Sequence, residues 1–594
     1  MRACSRGQLL RYLAAVAAMA GAVCAGFLTP LLLGETIDAV IGSVRPLRLP
    51  GALGAWVERL GGRGFLMSNL WIAALLLVGL SAFGGLCQYL RAKWSAEASE
   101  TIAEGMRNRL YDHLQRLPYA YHVKAQTGDL IQRATSDVET VRKFLSTQLV
   151  EIFRTLLMLL ASAAVMLSIN AQLTLASVVL LPPLFALAFW FFHRVRKYFT
   201  RVDEAEGRMS AILQENLGGA RVVRAFGRQR HEVEKFRAAN GKLYEESKKL
   251  ADLMAAFWSS GDMISMLQTA LTLVYGIALA AEGQLTVGEI TVFVSYVSML
   301  TWPVRQLGRI LSDLGKAMVS LKRIGEVMDE PPEAAEPDAL TPNLGGDVVF
   351  EDVHFGYDRG QGVLCGVSFC AKAGHTVAIL GGTGGGKSTM MLMLQRLYEP
   401  DEGCITIGGV DIRKIDKRHL RSRVGLILQE AFLYSRTLKE NIAFARPDAQ
   451  WSDVVGAARA AHAEGFIEDF EKGYDTLVGE RGVTLSGGQR QRVAIARTLL
   501  KDSDILIFDD SLSAVDTETD ERIRSALKAR AGRATTFIIS HRISTLSEAD
   551  WILVLDQGRI AEQGTHAQLV ERGGLYAKVY WIQSALTEEL DASV

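Results

Sequence analysis

Long stretches without a charged residue dominate the first half of the chain. Tyr12 to Leu33 holds no charge over 22 positions, and Phe65 to Leu90 holds none over 26. Thr155 to Phe192 is charge-free for 38 positions, interrupted by the polar stretch Ser168-Ile169-Asn170-Ala171-Gln172. Met263 to Ala281 and Ile290 to Val304 follow, the last only 15 residues long before Arg305. A helix needs about 20 apolar residues to cross the hydrocarbon core of a bilayer. The third stretch is about twice that length and reads as two spans joined by a very short turn. The pattern predicts six spans, at about 12–33, 65–90, 146–168, 173–193, 257–281 and 287–307. Buried helices of a large soluble core would be the alternative, and five or six such runs separated by charged segments argue against it.

The intervening segments carry charge unevenly. Arg91–Lys143 holds nine Lys+Arg and Arg194–Lys249 holds fourteen, with apolar residues at helical spacing among them. The turn after the third span and Glu282–Glu289 hold none, and Gly34–Gly64 holds four, a mild exception. Arg2, Arg6 and Arg11 precede the first span. Positive residues stay on the cytoplasmic side, so both termini and the two large loops are expected in the cytosol. The first span is expected not to be a cleavable signal peptide, because it is too long and no small-residue cleavage site followed by a soluble domain appears.

Beyond Met328 the pattern changes twice. Pro331, Pro332, Pro337 and Pro342 mark a linker, taken as 326–347, because proline blocks helix continuation. From Val348 short β-rich runs alternate with helical ones, as in an α/β domain. Residues 1–325 are thus expected to form an all-α, six-helix membrane domain, and 348–584 an α/β nucleotide-binding domain, with a tail at 585–594.

Composition supports the division. Apolar residues make up 49% of the chain against 22% charged ones, which excludes disorder. Lys+Arg and Asp+Glu each number 65, so no basic surplus exists for general nucleic-acid binding. Six cysteines in 594 residues make no disulfide scaffold. Neither the cysteines nor the ten histidines show metal-ligand spacing, and Cys365 and Cys370 read as strand core.

The chemistry is concentrated in the second half. The strand-like Thr376-Val377-Ala378-Ile379-Leu380 runs into Gly381-Gly382-Thr383-Gly384-Gly385-Gly386-Lys387-Ser388-Thr389 and a Met/Leu-rich helix. This is GxxxxGK[ST] in the strand–loop–helix context that a phosphate-binding loop requires. Glycines let backbone N–H groups converge on phosphate oxygens, and the helix N-terminus favours the negative charge. Lys387 is placed to reach the terminal phosphates, and Ser388 to offer a hydroxyl to Mg²⁺. No register of these glycines fits the dinucleotide fingerprint GxGxxG. A second buried strand, Ile505-Leu506-Ile507-Phe508, ends in Asp509-Asp510. Asp509 would hold Mg²⁺ through water.

Between these two elements stands Leu485-Ser486-Gly487-Gly488-Gln489, and after them Ser540-His541-Arg542. Together the motifs resemble the ATP-binding cassette (ABC) family, and six spans before one nucleotide-binding domain match its exporter half-transporters. The resemblance implies ATP and Mg²⁺ as cofactors and assigns roles to matching residues. Tyr357 is similar to the aromatic that stacks on adenine. Gln429 matches the glutamine that touches Mg²⁺ and attacking water, Asp516 in Ser513-Ala514-Val515-Asp516 the loop that crosses to the other subunit, and His541 the γ-phosphate contact. Glu480, Arg481 and Gly482 match the segment that meets the coupling helices, which would lie in Leu117–Leu130 and Glu215–Arg224. Ser486, Gly487, Gly488 and Gln489 would bind nucleotide held by the opposite subunit's loop, so one chain holds two half-sites and must dimerise.

One departure stands out. The family places Glu directly after the Mg²⁺-binding Asp, and this chain has Asp510. The shorter side chain withdraws the carboxylate by roughly one methylene, against a proton-transfer reach of about 2.6–3.2 Å. A displacement near 1 Å costs up to ~10²-fold in rate. The expectation is slow hydrolysis at the site of Lys387 and Asp510, and a partner half-transporter that carries the Glu. The resulting expectation is a bacterial plasma-membrane exporter of drugs or lipid-like amphiphiles working as a heterodimer. A lipid flippase and a siderophore or metabolite importer on the same scaffold are the alternatives. Glu151, Arg154 and Asp262 are ionisable residues at or beside span ends. Glu151 and Arg154, three apart, suit an ion pair, whereas Asp262 would favour cationic amphiphiles. Phe257, Trp258, Met299 and Trp302 are cavity candidates for which packing or lipid contact is the stronger reading.

Overall fold

The computed structural model describes residues 7–41, 59, 68–334, 338–357, 362–479, 482, 484–512, 515–528 and 534–592. They belong to two units. The first comprises Met1–Leu117 and Ala125–Pro332, the second Pro118–Lys124 and Glu333–Val594. Of the residues singled out above, Arg2, Arg6, Phe65, Pro337, Glu480, Arg481, Ser513 and Ala514 lie outside the described residues, as does nearly all of the Gly34–Gly64 loop beyond Ile41.

Six helices of the first unit are long and apolar enough to cross a membrane: Leu9–Ile41, Leu70–Arg116, Thr127–Ile169, Ala171–Gly218, Gln229–Ala281 and Val287–Met328. Each is longer than the apolar run that revealed it. Bilayer thickness limits the apolar stretch and not the helix, so the charged segments simply continue the same helices. The first helix overruns the loop expected from Gly34 because its last turns are held by the sixth. Asp38 accepts hydrogen bonds from Thr286 Oγ1 at 2.6 Å and from Gly288 N at 2.9 Å. A Cβ added to Gly288 would stand 2.1 Å from the Gly34 carbonyl oxygen, so only glycine lets these backbones touch.

The turn between the third and fourth spans is as short as expected. Asn170 alone leaves the helix, with φ −157° and ψ 117°, and its side chain accepts from Leu173 N. The fourth span then breaks a second time, at Val179–Leu180, before helix Leu181–Gly218. Pro182 and Pro183 open that helix and have no N–H to continue the preceding one. Buried Gln268 of the fifth span fills the gap. It accepts from Leu180 N at 2.9 Å and donates to Ala176 O at 3.0 Å, the two groups that an unbroken helix would have paired.

The second unit holds two sheets. β1 (Val348–Phe355), β2 (Leu364–Ala371), β4 (Glu402–Ile407) and β5 (Val410–Asp411) form an antiparallel sheet in the order β2-β1-β4-β5. β3 (Thr376–Gly381), β6 (Val424–Ile427), β7 (Ile505–Asp509), β8 (Thr535–Ile539), β9 (Trp551–Asp556) and β10 (Arg559–Gly564) form the other, in the order β10-β9-β3-β8-β7-β6. Its strands are parallel except for β10. β7 and β8 are buried throughout, as near-continuous apolar runs in a covered parallel sheet should be. Cys365 and Cys370 are not core, contrary to the sequence reading. Along β2 the buried positions are Leu364, Val367, Phe369 and Ala371, and strand alternation turns Cys370 to solvent.

The proline-rich linker is anchored at Glu333, directly after Pro331-Pro332. Arg421 Nη1 and Nη2 donate to the two carboxylate oxygens of Glu333 at 2.8 and 2.6 Å.

Candidate functional site

Parallel strands bring their C-terminal ends to one edge, and β3, β8 and β7 are neighbours there. Ile539 of β8 pairs with Ile379 on one side and Asp509 on the other. The phosphate loop after β3, Asp509-Asp510 after β7 and Ser540-His541 after β8 therefore emerge side by side. Sequence distances of more than 100 residues vanish in this register.

Gly382, Thr383 and Gly384 are exposed, and the loop turns through φ +79° at Gly384 and +91° at Gly386 before helix Lys387–Leu394. A Cβ on Gly386 would also meet Leu364 Cδ2 at 2.6 Å. Both its dihedral and its neighbours demand glycine. Gly385 N donates to Gly382 O and closes the turn. Lys387 is buried, and its ammonium donates to the carbonyl oxygens of Gly381 and Gly382, each at 2.8 Å. Burial lowers its pKa, against the pull of Asp509 and Asp510. A buried ammonium held by loop carbonyls suits a polyphosphate.

Ser388 Oγ donates to Asp509 Oδ1 at 2.8 Å, which places the two expected Mg²⁺ ligands together. Burial raises the pKa of Asp509, with Asp510 adding to the rise and Ser388 and Lys387 opposing it. A carboxylate so burdened favours a divalent cation, so the donor set of hydroxyl and buried carboxylate fits Mg²⁺. Asp510 takes a left-handed backbone, φ +45°, which aspartate tolerates better than most residues. Its N–H bonds to Ile539 O, and Gln429 Nε2 approaches its Oδ2 at 3.4 Å.

Tyr357 stands at the rim, with its hydroxyl 2.8 Å from Thr389 Oγ1 and its ring edge-on to Phe355 and Tyr398. Tyr398 also meets Tyr119, on the short helix Tyr119–Lys124 that belongs to this unit. The second short helix expected near Glu215–Arg224 is Ala220–Ala225, in the first unit.

The structure does not gather every motif. Ser486 caps helix Gly487–Leu499 in a reciprocal box with Gln489, so its hydrogen bonds run to that residue and not to the phosphate loop. Ser486 and Gly487 are exposed and Gly488 and Gln489 half-buried. Asp516 accepts from Thr519 N–H, which lowers its pKa. His541 is exposed.

Two supporting glutamines escaped the sequence reading. Gln583 donates to His541 O at 2.9 Å and accepts from Ile543 N at 2.9 Å, bracing the turn that carries His541 from the C-terminal helix Leu575–Ala592. Buried Gln491 donates to Leu428 O, beside Gln429. Gln491 sits two residues past Gln489, a spacing that could have flagged it, whereas nothing local marks Gln583.

Comparison with known proteins agrees with this geometry. Residues 12–304 match the family described as ABC transporter transmembrane region, and 364–513 match ABC transporter. The chain is 38% identical to an uncharacterized ABC transporter ATP-binding protein, YknU, of Bacillus subtilis (strain 168), over 93% of this chain and 92% of that protein. It is 35% identical to the putative multidrug export ATP-binding/permease protein YgaD of the same organism, over 84% and 86%. A bacterial Atm1-family ABC exporter, solved with ATP bound, superposes with a TM-score of 0.77 at 29% identity, covering 98% of both chains.

Proposed function

Since the chain belongs to the ABC transporters, as a half-transporter whose ATPase is coupled to transport, we propose that it exports drugs or lipid-like amphiphiles as one half of a heterodimer. In this reading the protein lies in a bacterial plasma membrane, with both termini and the nucleotide-binding domain in the cytoplasm. Loop charge supports the orientation, because the two segments richest in Lys and Arg, Arg91–Lys143 and Arg194–Lys249, flank the spans on the same side, with the four in Gly34–Gly64 a mild exception.

At its own nucleotide site the chain binds ATP and turns it over slowly. Gly382 to Gly386 and the first turn of helix Lys387–Leu394 offer backbone N–H groups to the phosphates, and Lys387 exchanges its two carbonyl partners for phosphate oxygens. Ser388, Asp509 and Gln429 would hold Mg²⁺, which would neutralise phosphate charge when bound. Tyr357 exchanges its contact with Thr389 for the adenine ring. Ser486, Gly487, Gly488 and Gln489 face the partner's nucleotide, where the fast hydrolysis takes place.

The observation that carries the heterodimer is Asp510. The test is single-site turnover in the reconstituted pair, with the partner's catalytic carboxylate removed. Asp510→Glu is expected to raise ATPase by at least about tenfold. No recovery would overturn the slow-site reading.

A further inference from the structure

The fifth and sixth spans flank an open groove of about 520 Å³. We propose that it receives the cationic head of the transported amphiphile, an inference that rests on the export reading above and names its substrate class. Asp262, Ser265 and Thr269 line it from one helix, and Ser298, Thr301 and Arg305 from the other. Both sets follow i, i+3, i+7, so two polar stripes on membrane-spanning helices face one space. Polar and ionisable residues at that depth belong to a cavity and not to lipid. Met266 and Leu273 supply an apolar wall, and the volume suits a drug-sized ligand.

The sign of the ligand follows from which charge is spent. Arg305, with 4% of its side chain exposed, donates to Asp262 and to Trp258 O, the latter at 3.1 Å. Its guanidinium carbon lies 4.7 Å from the Trp258 ring centroid. A Cβ on Gly261 would come within 2.9 Å of its Nε, so the missing side chain at 261 is the space that the arginine fills. This cation is built into the wall and cannot turn towards an entering anion without leaving those partners. Asp262 is the reverse: 62% of its side chain is exposed, and Arg305 bonds to Oδ1 only. Beside it the exposed Trp302 ring stacks at 5.8 Å on Trp258. An entering molecule thus meets a carboxylate oxygen and an indole face, the pairing that recognises ammonium, phosphonium and amidinium groups. The two charged residues lie near the cytoplasmic ends of their spans in the proposed orientation, where anionic lipid concentrates cationic amphiphiles.

The test is equilibrium binding of radiolabelled tetraphenylphosphonium to the full chain in nanodiscs without nucleotide, against 8-anilinonaphthalene-1-sulfonate as the anionic probe. Wild type is expected to bind the cation at least about tenfold more tightly than the anion. The paired variant Asp262→Asn/Arg305→Gln removes both charges together and should weaken cation binding at least about tenfold, while Asp262→Glu stays within about threefold. Should the paired variant misfold, Ser298→Lys places an ammonium on an exposed groove position and should abolish cation binding while sparing the anion. Cation binding that survives both the paired variant and Ser298→Lys, or preference for the anion in wild type, overturns the proposal. ATP-driven uptake in proteoliposomes with the partner separates the two readings. Cation bound but never moved sinks the export reading and leaves the site, and another dye transported without cation binding does the opposite.

Discussion

A side-chain amide replaces a missing helical hydrogen bond where Gln268 bridges Ala176 O and Leu180 N across the break in the fourth span. Within a bilayer no water can do this, so a neighbouring helix must satisfy backbone groups left unpaired at a helix break. Gln268→Leu leaves one donor and one acceptor unpaired, and we expect a loss of about 2–4 kcal/mol, read as a lower unfolding temperature in detergent. Gly386 is constrained differently, by its +91° φ and by Leu364 pressed against the place of its Cβ. Gly386→Ala should therefore cost nucleotide binding at least about tenfold, measured with a fluorescent ATP analogue, while leaving the first unit's melting unchanged.

Elements differ in how far the sequence reveals them. Apolar runs and the strand–loop–helix motif were legible, because bilayer thickness and phosphate geometry each impose a local pattern. The six spans, the parallel strands ending in Gly381 and Asp509, and the short turn at Asn170 all follow from such patterns. The break at Val179–Leu180 was hidden, since Pro182-Pro183 also suit an uninterrupted apolar run and the compensating Gln268 is 88 residues from Leu180. The Arg305–Asp262 pair joins residues 43 apart, and Gln583 braces His541 from 42 residues away, so no local pattern announces either. Gln583 acts as a positioning residue through its hold on the turn at 541–543. Gln583→Ala is expected to lower kcat for ATP several-fold, about 3–10, with KM within about twofold; a rise in KM alone would assign it to nucleotide binding. The linker anchor gives a pH dependence. The hydrogen bond from Arg421 holds the Glu333 carboxyl below its ordinary value, so its stabilisation is complete above the ordinary glutamate range and fades as pH falls through the lowered folded pKa. The unfolding temperature gap between wild type and Glu333→Gln should be constant from neutrality down to about pH 5 and narrow below it.

At the scale of the whole molecule the question is whether the segment Leu485–Gln489 serves this chain or another. Among the described residues its hydrogen bonds are those of a helix cap, with Ser486 and Gln489 satisfying each other at the start of Gly487–Leu499. If capping were its only task, a carboxylate in the first turn would be neutral or stabilising, because the helix N-terminus attracts negative charge. Gly487 offers a clean test: it is exposed, and a Cβ there meets nothing nearer than Arg490 Nη2 at 4.0 Å. Gly487→Asp should fold normally and keep nucleotide binding at Lys387. If the segment completes the partner's site, the same carboxylate faces a γ-phosphate, and steady-state ATPase of the assembled pair should fall at least about tenfold. Photolabelling of this chain by an azido-ATP would stay intact in that case. Undiminished ATPase in the pair would confine the segment to capping, and with it the need for a second chain to complete the catalytic site would disappear.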